Sequence, residues 1–143
     1  GKFRGLKLQT PLNSTIRPTS DRLKEALFSI LETHKYNLNM STSKVLDICS
    51  GTGALGIEAI SRGAKLVYFI EKDPKATKVI EKNILKLKIN NQNEIYIRLI
   101  QDDAVKAFGK ISTIFDIIFI DPPYNSSIIE ECLIGLKELF REY

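Results

Sequence analysis

The sequence predicts an α/β fold in which short, buried, parallel strands alternate with helices. Three observations carry this reading. A chain of 143 residues, 43% hydrophobic and 27% charged, is long enough for one compact domain with a core of its own. Four runs, Val45–Cys49, Leu66–Ile70, Ile95–Ile100 and Phe115–Ile120, are β-branched or aromatic with nearly all-apolar middles, as strands covered on both faces are. Between and after them lie stretches with apolar residues at helical spacing, and strict alternation of strand and helix implies right-handed crossovers.

Taken in order, residues 3–19 are basic and turn-rich: Phe3, Leu6 and Leu8 fit one short strand, after which Pro11, Asn13, Ser14 and Pro18 exclude a helix. Leu23, Ala26, Leu27, Ile30 and Leu31 step by three and four, so a helix is expected over about 20–33, capped by Thr19 or Ser20 behind Pro18. The polar stretch Asn37–Ser43 reads as a linker, which divides the chain into a basic extension with its first helix (1–36) and a main unit (37–143). Within that unit helices are expected at Ala54–Ser61, Pro74–Leu87, Ala104–Phe108 and Ile128–Phe140. On the second of these, Lys75, Lys78, Lys82 and Lys86 form a stripe opposite Ala76, Val79, Ile80, Ile84 and Leu87, the pattern of a solvated outer face. If Phe115–Ile120 were the last strand, its apolar edge would be exposed, so further strands are expected beyond residue 143.

Composition excludes several classes of function. The longest apolar run is five residues, Leu66–Ile70, against the roughly 18 that a membrane span needs, which predicts a soluble, cytoplasmic protein. Cys49 and Cys132 stand alone, and His34 is the single histidine, so neither a disulfide framework nor a metal site nor a Ser-His-Asp triad is expected. Charge is uneven: residues 1–44 hold eight Lys/Arg against three Asp/Glu, whereas residues 45–143 hold thirteen against fourteen. A basic arm of this kind suits a polyanion, nucleic acid above all, or is a solvated surface. Arg4, Arg17 and Arg22 flank the first helix and are the candidates for phosphate contact.

Two motifs carry chemistry. The first runs from strand to helix through Asp47-Ile48-Cys49-Ser50-Gly51-Thr52-Gly53-Ala54-Leu55-Gly56. Its glycines let the backbone approach a ligand, and Gly51, Gly53 and Gly56 spell G-x-G-x-x-G. Glu71 closes the next strand, 20 residues after Gly51, where a carboxylate can accept hydrogen bonds from ribose hydroxyls or cap the turn that follows. Nicotinamide dinucleotides and S-adenosylmethionine share that geometry. Asp47 separates them: a carboxylate before the glycines repels a pyrophosphate but suits a ligand bearing an ammonium group.

The second motif is Asp121-Pro122-Pro123-Tyr124, directly after the fourth apolar run. Two prolines stiffen the loop and remove two N–H donors, leaving carbonyl acceptors. Asp121 and the Pro122 carbonyl can grip an exocyclic amine while Tyr124 offers a face for a base to stack on; the bland reading is a stiff turn after a strand. If the first and fourth strands are neighbours, both motifs meet at the switch point of the sheet, where a methyl donor and an amine can react.

The pair Asp-x-Cys-Ser-Gly-Thr-Gly and Asp-Pro-Pro-Tyr resembles class I S-adenosylmethionine-dependent amino-methyltransferases. Gly1-Lys2-Phe3-Arg4-Gly5, Arg17-Pro18-Thr19-Ser20-Asp21-Arg22 and Lys24-Glu25-Ala26-Leu27-Phe28 are similar to the RsmD-type bacterial 16S ribosomal RNA guanine-N2 methyltransferases. The resemblance implies a Rossmann-like sheet of seven strands with helices on both faces, acting on 16S ribosomal RNA or an assembling small subunit as a monomer. It implies that Asp47, Ser50, Gly51 and Gly53 line the methionine part of S-adenosylmethionine, that Glu71 holds its ribose and Asp103 its adenine amine, and that Asp121 through Tyr124 hold the guanine. Asp102 stands where that family commonly has glycine, so Asp102 and Asp103 both remain candidates for the adenine. The same segment of the family places Arg17 near the cofactor. Other readings of the two motifs are a DNA adenine-N6 or cytosine-N4 methyltransferase, an NAD-dependent oxidoreductase and a non-catalytic RNA-binding remnant.

Overall fold

A computed structural model describes residues 21–33, 38–87, 94–122 and 126–139. Its elements run α1 (Asp21–Leu31), a 3-10 turn (Met40–Thr42), β1 (Lys44–Ile48), α2 (Ala54–Ser61), β2 (Leu66–Glu71), α3 (Pro74–Lys86), β3 (Tyr96–Gln101), α4 (Ala104–Phe108), β4 (Ile117–Ile120) and α5 (Ser126–Leu139). All four strands are parallel, in the order β3-β2-β1-β4. The chain thus moves outward from β1 to β3 and then returns to the other side of β1. That reversal makes the C-terminal ends of β1 and β4 the switch point.

Alternation along each strand feeds two cores. Val45, Val67, Phe69, Ile117 and Phe119 face Phe28, Leu55, Ile57, Ile60 and Ile80 of α1, α2 and α3. Leu46, Ile48, Tyr68, Ile70 and Ile100 face Ala107, Phe108, Cys132 and Leu136 of α4 and α5. Burial on both faces is why these strands carry continuous apolar runs. The lysine stripe of α3 is exposed, with Ala76, Ile80 and Leu87 buried behind it.

Several expected boundaries move for local reasons. Cys49 adopts φ 58, in the left-handed region, so β1 ends at Ile48 and the turn begins one residue early. The fourth strand starts at Ile117, because Asp116 is occupied in tying the strand ends together: its N–H donates to the Lys44 carbonyl and its carboxylate accepts from the Lys44 N–H, each at 2.8 Å. The expected linker holds a structured turn instead. Asn39 accepts from the Ser41 N–H, and Met40 is buried in the first core. The expected strand at Phe3–Leu8 and the caps Thr19 and Ser20 lie outside the described residues.

Candidate functional site

The glycine turn after β1 is held from three sides. The Ser50 N–H donates to the Ile70 carbonyl of β2 at 3.1 Å, and its hydroxyl lies 2.6 Å from the Asp47 carbonyl. The Gly51 N–H donates to Glu71 Oε1 at 3.0 Å, while Glu71 Oε2 accepts from the Asp73 N–H at 2.9 Å. From α3, the fully buried Asn83 donates its side-chain amide to the Thr52 carbonyl at 3.1 Å. Gly51 and Gly53 have φ of 60 and 80, conformations that a side chain strains.

The three glycines do different work. Gly51 lines the cavity described below, and Gly53 sits behind the turn at the start of α2, where an added Cβ would lie 3.3 Å from Ile80 and Phe69. Gly56 makes room for the sheet: a Cβ there would lie 2.3 Å from the Phe69 ring, so its role is close helix–strand packing.

Beyond the ends of β1, β2 and β4 opens a cavity of about 390 Å³, within the range of about 300–1,000 Å³ for small-ligand sites. Asp47, Ser50, Gly51, Glu71, Asp103 and Asp121 all line it, bringing both sequence motifs to one place. Asp102 lines it as well, together with Cys49, Asp73, Glu131 and Cys132. Among the described residues on its wall are seven carboxylates (Asp47, Glu71, Asp73, Asp102, Asp103, Asp121 and Glu131) and one cation, Lys72. A wall with this balance attracts a cationic or hydroxyl-rich ligand and repels a pyrophosphate.

The carboxylates are not equivalent. Asp47 is only 2% exposed, and its Oδ2 accepts from the Gly56 N–H at 3.0 Å. Burial pushes its pKa up to about 8, the Gly56 N–H pulling it back and the Asp121 and Glu71 carboxylates pushing it further up. Asp102 is held below the usual carboxylate range, first by its hydrogen bond with Lys110, at 2.8 Å, and next by the Asp103 N–H. Asp103 caps α4, accepting from the Lys106 N–H at 3.4 Å. The two adenine candidates therefore stand side by side on the wall with different partners. Burial likewise raises the thiol pKa of Cys49, to about 12, and that of Cys132.

Asp121 is exposed at the end of β4 and Pro122 is half-buried after it. Pro123 and Tyr124 lie outside the described residues, as do Arg4 and Arg17. Arg22 lies exposed on α1. Sequence reasoning missed Glu131 and Cys132 on the wall and Asn83 behind the turn. For the first two a signal existed, since Ile128, Glu131 and Cys132 are spaced to share one face of α5 and all three reach the cavity. Asn83 carries no such signal, because its partner is a backbone carbonyl 31 residues away.

Known proteins resemble the chain in sequence and in fold. The family described as conserved hypothetical protein 95 matches residues 1–141. The chain is 34% identical over 138 residues to ribosomal RNA small subunit methyltransferase D of Escherichia coli, covering 96% of this chain and 65% of that protein. Its counterpart in Haemophilus influenzae is 35% identical over 138 residues, with 68% of that protein covered. Among solved structures, the E. coli protein titled "Putative methyltransferase yhhF" superposes with a TM-score of 0.77 at 32% identity, covering 96% of this chain and 69% of that one. The chain therefore spans about two thirds of the length of the relatives it matches.

Proposed function

The chain belongs to the conserved hypothetical protein 95 family and has its α/β methyltransferase fold, and from that premise we propose that it transfers a methyl group from S-adenosylmethionine to the N2 amine of a guanine in 16S ribosomal RNA. The observation that carries the proposal is the acidic cavity at the switch point, which joins the glycine turn to Asp121. Six carboxylates besides the buried Asp47, whose carboxyl holds its proton up to about pH 8, face one lysine; that balance suits a ligand with a positive sulfur, an ammonium group and ribose hydroxyls, and disfavours NAD with its pyrophosphate. The cavity volume, the open glycine turn and the donor set fit that cofactor.

In this reading Asp47, Ser50, Gly51 and the neighbouring Gly53 turn receive the methionine part. Glu71 has two of its lone pairs committed to the Gly51 and Asp73 N–H groups, so ribose hydroxyls donate to those that remain. Asp103, or Asp102 beside it, accepts from the adenine amine. When bound, the cofactor supplies a methyl group whose bond to a positively charged sulfur breaks as the bond to the guanine nitrogen forms.

The chain's own task is to make that nitrogen available. An exocyclic amine is a poor nucleophile because its lone pair is delocalised into the ring. Acceptance of its N–H groups by the Asp121 carboxylate and the Pro122 carbonyl localises the lone pair and orients it for in-line attack. Methylation leaves a surplus proton on the nitrogen. Asp121, exposed at the cavity wall, takes it or passes it to water. Tyr124 stacks on the base, and Arg4, Arg17 and Arg22 neutralise backbone phosphates. Among the described residues no helix is long and apolar enough to cross a membrane; a ribosomal RNA substrate is the reason to propose a cytoplasmic place of work.

Transfer of a radiolabelled methyl group by the full-length protein tests the proposal, with small-subunit RNA, assembled small subunits and duplex DNA as acceptors. Label recovered on guanine N2 of the RNA supports it. Label confined to adenine or cytosine of DNA, or no transfer to any acceptor, overturns it.

A further inference from the structure

The proposed reaction uses the cavity, yet a heavily engaged charged side chain, Arg62, is not among the residues that line it. Arg62, at the end of α2, is 12% exposed and reaches three carboxylates. Its Nη2 is 3.1 Å from Glu25 and its Nη1 is 3.2 Å from Glu32, both hydrogen bonds. Its Nε lies 3.4 Å from Glu58, near enough for an ion pair without an aligned hydrogen bond. The guanidinium also sits over the Phe28 ring, 5.1 Å from its centroid.

Glu25, Phe28 and Glu32 are spaced by three and four, so one face of α1 and the residue just after it present acid, ring and acid to a single arginine. Phe28 is fully buried, and beyond Arg62 its ring meets Phe119 of β4 with centroids 5.5 Å apart. Phe119 is two residues before Asp121. β4 pairs with β1 over Ile117–Ile120, and the ring of Phe28 beneath Phe119 packs on the face of the strand that leads into Asp121.

We infer that Arg62 is a positioning residue for methyl transfer: by clamping α1 it seats Phe28 under Phe119 and so fixes the Asp121–Pro122 end of β4. The inference rests on the proposed function for its catalytic part. It also gives the basic segment a second task. Arg22 lies on the exposed side of the same helix, so RNA held there loads the helix that supports the amine-binding loop.

The test compares Glu25→Gln/Glu32→Gln, which keeps shape but removes the two charges by which α1 and the residue after it hold Arg62, with Arg62→Lys, which keeps one charge and loses the fork. Amide exchange across residues 117–121 is read alongside kcat, KM and S-adenosylhomocysteine affinity in the full-length protein. The expected result is faster exchange at 117–121 and a kcat lower by about ten- to hundredfold in the double variant, with Arg62→Lys intermediate and cofactor affinity within about twofold of the parent. Faster exchange in α1 with exchange at 117–121 and kcat unchanged overturns the inference. Equal losses of kcat and cofactor affinity overturn it too, since they mark general loosening. If the double variant does not fold, Phe28→Leu, which keeps apolar volume and loses the ring, carries the same readouts and outcomes. The exchange measurement needs no turnover, so absence of methyl transfer in the parent protein refutes the proposed function separately.

Discussion

Two strands, β1 and β4, end side by side at the switch point, and different parts of the fold support their ends. The loop after β1 is tied by Ile70 and Glu71 of β2 and by Asn83 of α3, with two glycines at positive φ and a third admitting the Phe69 ring. The loop after β4 follows a four-residue strand, begins with an exposed aspartate and depends on Phe28 beneath Phe119. The first is preorganised by its own hydrogen bonds, as a site that binds one small ligand benefits from being. The second begins with a carboxylate exposed toward a large substrate that brings its own contacts. The contrast separates a binding half from a reacting half, and substitutions in the two halves should fail differently.

The largest effect is expected in the reacting half. Asp121→Ala in the full-length protein should lower kcat by about a hundredfold or more while S-adenosylhomocysteine affinity barely changes. Equal losses in both would erase the distinction. In the binding half, Gly56→Ala places a Cβ against a fully buried Phe69 that has nowhere to go, and should cost about 1–3 kcal/mol in denaturant unfolding. Glu71→Ala leaves the Gly51 and Asp73 N–H groups without their acceptor and removes the ribose contact. Calorimetry should show cofactor affinity weaker by about 1–3 kcal/mol.

Asp47 sharpens the comparison through pH. Its carboxyl moves from an ordinary value of 3.8 to about 8 on folding, so the folded protein binds the proton more tightly than the unfolded chain. Stability contributed by this group is present at low pH and is lost as pH rises through the interval between those values. Asp47→Asn keeps an acceptor for the Gly56 N–H and should flatten that decline in denaturation curves taken at several pH values. The smallest effect is expected from Arg22→Ala, which should reduce the log–log salt slope of RNA binding by about 0.7 to 0.9, one phosphate contact, with cofactor affinity unmoved.

What was legible in the sequence follows from the range of the interactions involved. Local periodicity located α2 and α4 to the residue and the four strands to within two, because burial on both faces leaves an apolar run that no other element requires. The strand ends were less legible, since Cys49 turns at positive φ and Asp116 is claimed by Lys44, 72 residues away. Asp47, Ser50, Gly51 and Asp121 of the two motifs, Glu71 at the end of the next strand and Asp103, named by the family resemblance, line one cavity. Of their partners, the Asp73 N–H that Glu71 caps was legible as the turn after β2. The others were not: Glu71 also accepts from the Gly51 N–H, Gly56 makes room for Phe69, and Arg62 binds a helix that reads locally as part of a separate basic arm. Each of these depends on a contact between segments distant in sequence, which no local spacing encodes.

The central claim is that the acidic cavity is built for an adenosyl ligand without phosphates. Parallel calorimetric titrations of the full-length protein with S-adenosylhomocysteine and with NAD test it most directly. The account predicts saturable heat with S-adenosylhomocysteine, weakened in Glu71→Ala, and no binding heat with NAD. Saturable heat with NAD and none with S-adenosylhomocysteine would contradict it.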